Sequence, residues 1–477
     1  MDPVLPRSSV LPRRSVLRLL GGAAVAGGAL AAGAPVASAA AEGDGRNWKP
    51  VAEDVRREFL WAWRQYVEHA LGADHIKPIS GGREDFFVPG HSVGLSAVEA
   101  VDTLWLMEAD EEVGQAVDWI TGNLDFDIDA PFQVFETNIR MVGGLAAAYH
   151  CTGDRRLLEL AVDVADRLMP AFTESPTGLP YRYVNLATGA VSRPDTNIVE
   201  VGTYVAEFGV LSEWTGDRRY FDVAKEAMRV VHDKRTPLGL LPHDIDAETG
   251  RWRNRIATVG PPGDSYYEYL WDGYALFGDE EMRQWYDTLT DAILAHQAEE
   301  HDGHLWFPQV DAHTGAVADR GQSVLASFYA GLLGESGRVE QGRAYHDGWN
   351  AAQDRFGVLP STLDYRTMSA PDPSNALRPE FADSALALWL ATGDEIFRER
   401  AHTHFRNMVA SSKTRHGFAS LTDVTAKPPA QEDTCPGYWW SEQMKYYWLL
   451  FSGTPRADYR ELYLSTEANL LRGARRS

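Results

Sequence analysis

The sequence predicts an all-α protein, an (α/α)7 barrel in which seven helical hairpins form a toroid around one core. Three observations predict it: a glycine-centred breaker at nearly constant spacing, a difference in character between the helices flanking it, and acidic residues at equivalent places in successive repeats. The breakers read YHCTGDRR, EWTGDRRY, ALFGDEEM, GESGRVEQ, LATGDEIF and LFSGTPRA. Their glycines are Gly153, Gly216, Gly278, Gly337, Gly393 and Gly453, at intervals of 63, 62, 59, 56 and 60 residues. A seventh member, LMEADEEV, lacks the glycine and lies around Ala109. Glycine closes a helix in the left-handed region, and the aspartate that often follows caps the next one. A single hairpin cannot bury its apolar stripe, so seven of them must pack on one another.

In chain order, residues 1–40 stand apart. Arg13 and Arg14 precede the Ala/Gly-rich run GGAAVAGGALAAGAPVASAA, which ends in small residues at Ala37, Ser38 and Ala39. This is the pattern of a twin-arginine-type export signal, expected to be cleaved; the alternative is a membrane anchor, for which the run is weakly hydrophobic. Residues 41–477 are expected to form one (α/α)7 catalytic domain, secreted or extracytoplasmic, monomeric and without stable membrane insertion. Its 15 Trp, 19 Tyr and 18 Phe supply a large core and suggest a ring-lined pocket. A formal charge of -23 argues against nucleic acid as a partner, because polyanions are held by compensating Lys and Arg. Cys151 and Cys435 could pair or remain lone buried thiols; neither CxxC nor HExxH occurs.

The segments before the breakers, such as VFETNIRMVGGLAAAY and GDSYYEYLWDGYALF, are apolar nearly all round and read as inner helices. Those after, such as AKEAMRVVHDK, are amphipathic and read as outer helices; ADYRELYL is expected to be the outer helix of the last pair. FDIDAPF, LPHDIDAETGRWRNRIATVGPP and WFPQVDAHTGAVADR are expected to be long loops or small β-hairpins at one end.

Counting back from each glycine, Glu136 lies 17 residues away, Glu200 16, Asp264 14, Glu380 13 and Glu442 11. All therefore fall in the first turns of inner helices and face one end of the ring. Arg140 follows Glu136 by four residues and Glu207 follows Glu200 by seven, on the same faces and deeper. Charges on such apolar helices need partners, a metal or a polar ligand. Converging carboxylates with an arginine and rings suit a sugar site, since glycosidic cleavage needs one carboxylic acid and one carboxylate. Repulsion between neighbouring carboxylates raises a proton affinity and helix N-termini lower it; the sequence leaves open which wins at each glutamate.

The stretches AVDTLWLM, VFETNIRMVGGLAAAYHCTGD, EVGTYVAEFGVLSEWTGD, GDSYYEYLWDGYALFGD, LRPEFADSALALWLATGD, SEQMKYYWLLFSG and STEANLL run in order from about Trp48 to Leu471. Together they resemble the class I α-1,2-mannosidases, glycoside hydrolase family 47. That resemblance implies a calcium-dependent (α/α)7 enzyme that removes terminal α-1,2-linked mannose with inversion from an oligosaccharide or mannan. It implies Glu136 as general acid, Glu380 as general base and Asp264 as a third essential carboxylate. Arg140, Glu207, His304, Arg378, Tyr438 and Glu442 would line the sugar pocket. Thr466 would bind Ca2+, with Glu467 beside it; by itself Thr466 reads as the N-cap of a short helix. Asp383 stands where the family commonly has glutamate, Asn469 where it has histidine, and Pro436 and Gly437 where it has a polar pair; His304 begins HLWFPQVD, where many relatives have a disulfide cysteine. Two other readings are a carbohydrate enzyme on a six-hairpin barrel, against which the count of seven argues, and a non-catalytic glycan binder, against which the intact carboxylates argue.

Overall fold

The computed structural model describes residues 46–476, so the export-signal expectation for residues 1–40 lies outside the described residues. Seven inner helices form the ring: Leu95–Leu106, the composite spans 134–152 and 198–215, Asp264–Phe277, the composite 324–335, Glu380–Thr392 and the composite 439–452. Six outer helices follow their inner partners in sequence: Asp110–Asn123, Arg155–Leu168, Arg219–His232, Glu280–His296, Val339–Phe356 and Ile396–Ser412. Every residue of Leu95–Leu106 is buried, whereas Arg155–Leu168 buries only one stripe, as the sequence reading anticipates.

The seventh outer helix corrects that reading. ADYRELYL is not helical: it passes through turns into the strand Tyr463–Leu464. Its place is taken by the N-terminal helix Lys49–Ala70, which packs on Met444–Ser452 and closes the ring. Phe59, Trp63 and Tyr66 of that helix meet Trp439 and Trp440 at ring-centroid distances of 5.7 to 6.2 Å where they touch. A partner that arrives from the far end of the chain leaves no local periodicity to read.

The breakers behave as expected. Gly153, Gly216, Gly278, Gly393 and Gly453 are left-handed C-caps, and Asp154 and Asp279 accept from the backbone N–H of Arg156 and Met282. In the seventh breaker Glu108 takes the left-handed place, with φ of 57°. A side chain there costs roughly 1–2 kcal/mol.

Small antiparallel sheets of two or three strands connect outer helices to the next inner ones, including Pro131–Gln133, Asp244–Asp246 and Gln309–Asp311 from the segments expected to be loops or hairpins. One hairpin, Tyr463–Leu464 with Leu470–Arg472, instead enters the ring from the glycine end, where Arg476 donates to the carbonyls of His150 and Tyr149. Its tip is held by a buried ion pair: Lys445 Nζ lies 2.7 Å from Asp102 and donates to the Ala468 carbonyl, while Asp102 accepts from Leu470 N–H. Asn469 donates to the Ile139 carbonyl. It packs so closely that a Cβ at Gly143 would fall 2.3 Å from Asn469 Nδ2. Thr466 thus sits in a β-turn and not at a helix N-cap.

Candidate active site

The inner helices begin around a cavity of about 480 Å³, and the tip of the C-terminal hairpin forms part of its lining. Glu136, Arg140, Asp264, Arg378, Glu380, Tyr438, Glu442 and Thr466 all line it. Eight of the ten singled-out positions are thereby brought together. Glu207 and His304 are not among the lining residues. Glu207 sits behind the wall, accepting from Tyr269 Oη at 2.7 Å and from Asn138 Nδ2 at 3.0 Å. The reason is a break in its helix at Thr203 and Tyr204, which ends the seven-residue register with Glu200. His304 begins the strand His304–Trp306, paired opposite His301. Cys151 and Cys435 are both buried free thiols.

Arg140 organises one side of the cavity. Its Nε donates to Glu136 at 2.7 Å, and its Nη1 donates to Glu467 at 2.8 Å and to Glu99 at 3.0 Å. The i,i+4 relation to Glu136 holds although residues 137–142 form a π-helical turn, a rare geometry that recurs at Trp439–Gln443 beneath Glu442. Both wide turns lie where a charged side chain enters the cavity. Burial is the main force pushing Glu99 up to about 8 and Glu467 up to about 7, with Arg140 opposing it in each case. Glu99 leaves Gly437 no alternative: a Cβ there would lie 1.8 Å from Glu99 Oε2.

The other side is built by Asp264, Arg378 and Glu380. Arg378 Nη1 stands 4.0 Å from Glu380 Oε1, and Glu380 Oε2 is buried without a hydrogen-bond partner. Burial raises Glu380 and the Arg378 charge offsets part of that rise. Asp264 accepts from Ser265 N–H, yet burial, aided by the charge of Glu380, pushes it up to about 7. Tyr438 stands between the two sides, with Arg378 4.9 Å and Arg140 5.7 Å from its ring centroid, and donates to the Ala376 carbonyl. Glu200 also lines the cavity, held by Arg182, Gln133 and Thr196.

Sequence reasoning missed Glu99 and Glu268. Glu99 lies ten residues before Ala109 and so extends the series of acids, but in the repeat that lacks its glycine. Glu268 follows Asp264 by four residues on the same face, lines the cavity, and is raised well above the ordinary range by burial and by Asp272 and Asp383, with Thr466 hydrogen-bonded to it. Glu442 is likewise raised, by burial and by Glu467 and Glu380. This crowd of buried carboxylates around Thr466 has only Arg140 and Arg378 as cations among the cavity-lining residues.

The chain has relatives among known proteins. A solved α-1,2-mannosidase from Trichoderma reesei superposes with a TM-score of 0.80 at 22% identity, covering 90% of this chain and 100% of that one, and so shares its fold. A mannosyl-oligosaccharide 1,2-α-mannosidase of Candida albicans is 30% identical over 88% of this chain and 83% of its own length. Arabidopsis thaliana α-mannosidase I MNS4 is 32% identical over 89% and 70%. Residues 58–473 match the model for glycosyl hydrolase family 47, nearly the whole span that builds the barrel and its cavity, and the chain belongs to that family.

Proposed function

We propose that the protein is a secreted, calcium-dependent hydrolase that removes terminal α-1,2-linked mannose from an oligosaccharide or mannan with inversion. The observation that carries this reading is the convergence of two unlike groups of carboxylates on one cavity: Glu136 with Arg140, and Asp264 and Glu380 with Arg378. Membership of the family and the names of the related mannosidases support the reaction and the linkage.

In this reading Glu136 serves the leaving oxygen as general acid. Asp264, held protonated into the neutral range, is a proton source on the same reaction path. Glu380 takes a proton from the attacking water; its partnerless buried oxygen is the acceptor available for that water. An inverting pair stands about 6.5–9.5 Å apart to admit the water. Arg378 and Tyr438 hold the sugar between the two sides, with Glu442 accepting from its hydroxyls.

The residues fit calcium. Thr466, which carries a hydroxyl and a carbonyl oxygen, lines the cavity together with Glu268, Asp383, Glu442 and Glu467, an oxygen-only set suited to a hard cation. Among the described residues no three acidic, His or Cys side chains converge enough to hold a metal by themselves. Thr466 is the direct protein ligand that the family resemblance implies, with the carboxylates in an outer role. A bound calcium would supply a fixed positive charge that grips sugar hydroxyls and offsets the clustered acids.

The test is hydrolysis of mannobioses with α-1,2, α-1,3 and α-1,6 linkages, with and without chelator. The α-1,2 compound is expected to be cleaved, β-mannose to be the first product by proton NMR, and activity to vanish on chelation and return with calcium. Cleavage of another linkage only, α-mannose first, or full activity after exhaustive chelation overturns linkage, mechanism or metal respectively. Export is tested separately by N-terminal sequencing of protein recovered outside the cell, expected to begin near residue 40. Among the described residues no helix is long and apolar enough to cross a membrane.

A further inference from the structure

Phe86 is an exposed ring in a place where an exposed ring is costly. Among the described residues only Ile79, Phe86 and Val317 are large apolar side chains left exposed, and of these only Phe86, at 36%, lines the cavity. Single exposed apolar residues are ordinary, but one set at the mouth of a polar, carboxylate-lined pocket offers a flat apolar face to whatever enters.

The ring is also held in place. Phe86 N–H donates to Asp74, whose other oxygen accepts from the N–H groups of Val93 and Leu95 at the start of the first inner helix. Two residues on, the loop is pinched by Val88 pairing with His91, and Asp85 accepts from Gly90 N–H and from Ser92 Oγ. His75 lies 5.3 Å from the Phe86 ring and Phe87 meets it edge-on at 4.9 Å. A loop with so many internal anchors presents its ring with little entropy left to lose on binding.

Its position relative to the chemistry is set by Arg140. The guanidinium carbon is 5.1 Å from the Phe86 centroid, and the Nε of the same side chain is 2.7 Å from Glu136. The ring is thereby on the Glu136 side of the cavity. If Glu136 protonates the leaving oxygen, the sugar that departs lies on this side. We propose that Phe86 is the platform for that leaving sugar, its face against the apolar C–H face of the residue to which the terminal mannose is linked. The inference rests on the proposed glycosidase reading and deepens it: the substrate must carry a second pyranose ring beyond the scissile bond.

Two substrates with the same mannosyl group and different leaving groups separate this role from a structural one. α-1,2-Mannobiose has a leaving sugar; α-mannosyl fluoride, hydrolysed to mannose and hydrogen fluoride, has none. Phe86→Ala is expected to lower kcat/KM on the mannobiose about three- to tenfold, the scale of one ring contact, and to leave the fluoride unchanged. Phe86→Trp is expected to restore the mannobiose rate. Equal losses on both substrates would mean the ring merely supports Arg140, and no loss on either would mean it touches nothing; both outcomes overturn the platform. A parent enzyme that cleaves the fluoride but no α-1,2-mannobiose overturns the proposed function, and this inference with it.

Discussion

The two sides of the cavity are built from the same residue types and treat them in opposite ways. On one, Arg140 gives hydrogen bonds to three carboxylates, Glu136, Glu99 and Glu467, at 2.7 to 3.0 Å. On the other, the nearest cation to Glu380 stands 4.0 Å away and one carboxylate oxygen has no partner at all. The first side is gathered on one cation, and its own partnerless oxygen, Glu99 Oε2, lies behind Gly437 and outside the cavity lining. The second leaves its open oxygen on a residue that lines the cavity, and an incomplete buried network there is a place for a ligand, in the proposed reading the attacking water. The contrast teaches that an open oxygen offers a ligand something only where it reaches the cavity, while the side tied to Arg140 provides the frame.

The largest expected effect tests the open side. Glu380→Gln keeps shape and volume but removes the basic oxygen, so kcat on α-1,2-mannobiose should fall about 10² to 10⁴-fold with KM little changed. A variant as fast as the parent would make Glu380 a helix cap at the start of Glu380–Thr392 and erase the contrast.

The Arg140 side should fail as a structure. Arg140→Met leaves the buried Glu99 and Glu467 and the half-buried Glu136 without their shared cation, and breaking a buried pair in this way costs about 3–5 kcal/mol. The drop should appear as a lowered denaturation midpoint even without substrate. A variant of unchanged stability would show that Arg140 is held for the sugar alone.

Asp264 sharpens the comparison through pH. Its folded-state value of about 7 lies above the ordinary 3.8, so the folded form holds a proton that the unfolded chain releases. Its contribution is therefore fully present below pH 4 and lost as pH rises toward 7, on the order of a few kcal/mol. Asp264→Asn removes that loss. In chelated protein the variant should gain denaturation midpoint over the parent at pH 8 and little at pH 4; an equal gain at both values would detach Asp264 from the titration.

Much of this was legible in the sequence because it is local and periodic. Six glycines and the acids counted back from them located the inner helices, and the i,i+4 step from Glu136 to Arg140 survives as a 2.7 Å ion pair. What could not be read is non-local or irregular. The outer helix of the last pair comes from residues 49–70, nearly 400 residues before the helix it covers. The break at Thr203 turns Glu207 away from the cavity; Gly202 among the β-branched residues of VGTYV weakens the helix there, a signal the periodic reading passed over. Glu99 was hidden because its repeat ends on Glu108 in the left-handed conformation instead of on glycine. Thr466 was reachable only through resemblance, since a hairpin inserted through the ring has no counterpart in the repeat.

The smallest expected effect concerns the residue between the two sides. Tyr438 offers its ring to both Arg140 and Arg378, and offers its hydroxyl only to the Ala376 carbonyl, two residues before Arg378. The ring therefore belongs to both sides and the hydroxyl to the open one alone. Tyr438→Phe keeps the ring and leaves one carbonyl unpaired, a net cost of about 1 kcal/mol felt in the segment that carries Arg378 and Glu380. Activity on α-1,2-mannobiose should fall less than about threefold, with the change in kcat and none in the Arg140 network's stability. Tyr438→Ala removes the shared face as well, and the loss should exceed that of Phe by about tenfold. If Phe and Ala variants lose the same amount, the hydroxyl does the work, the ring couples nothing, and the two sides are independent sites that happen to share a cavity.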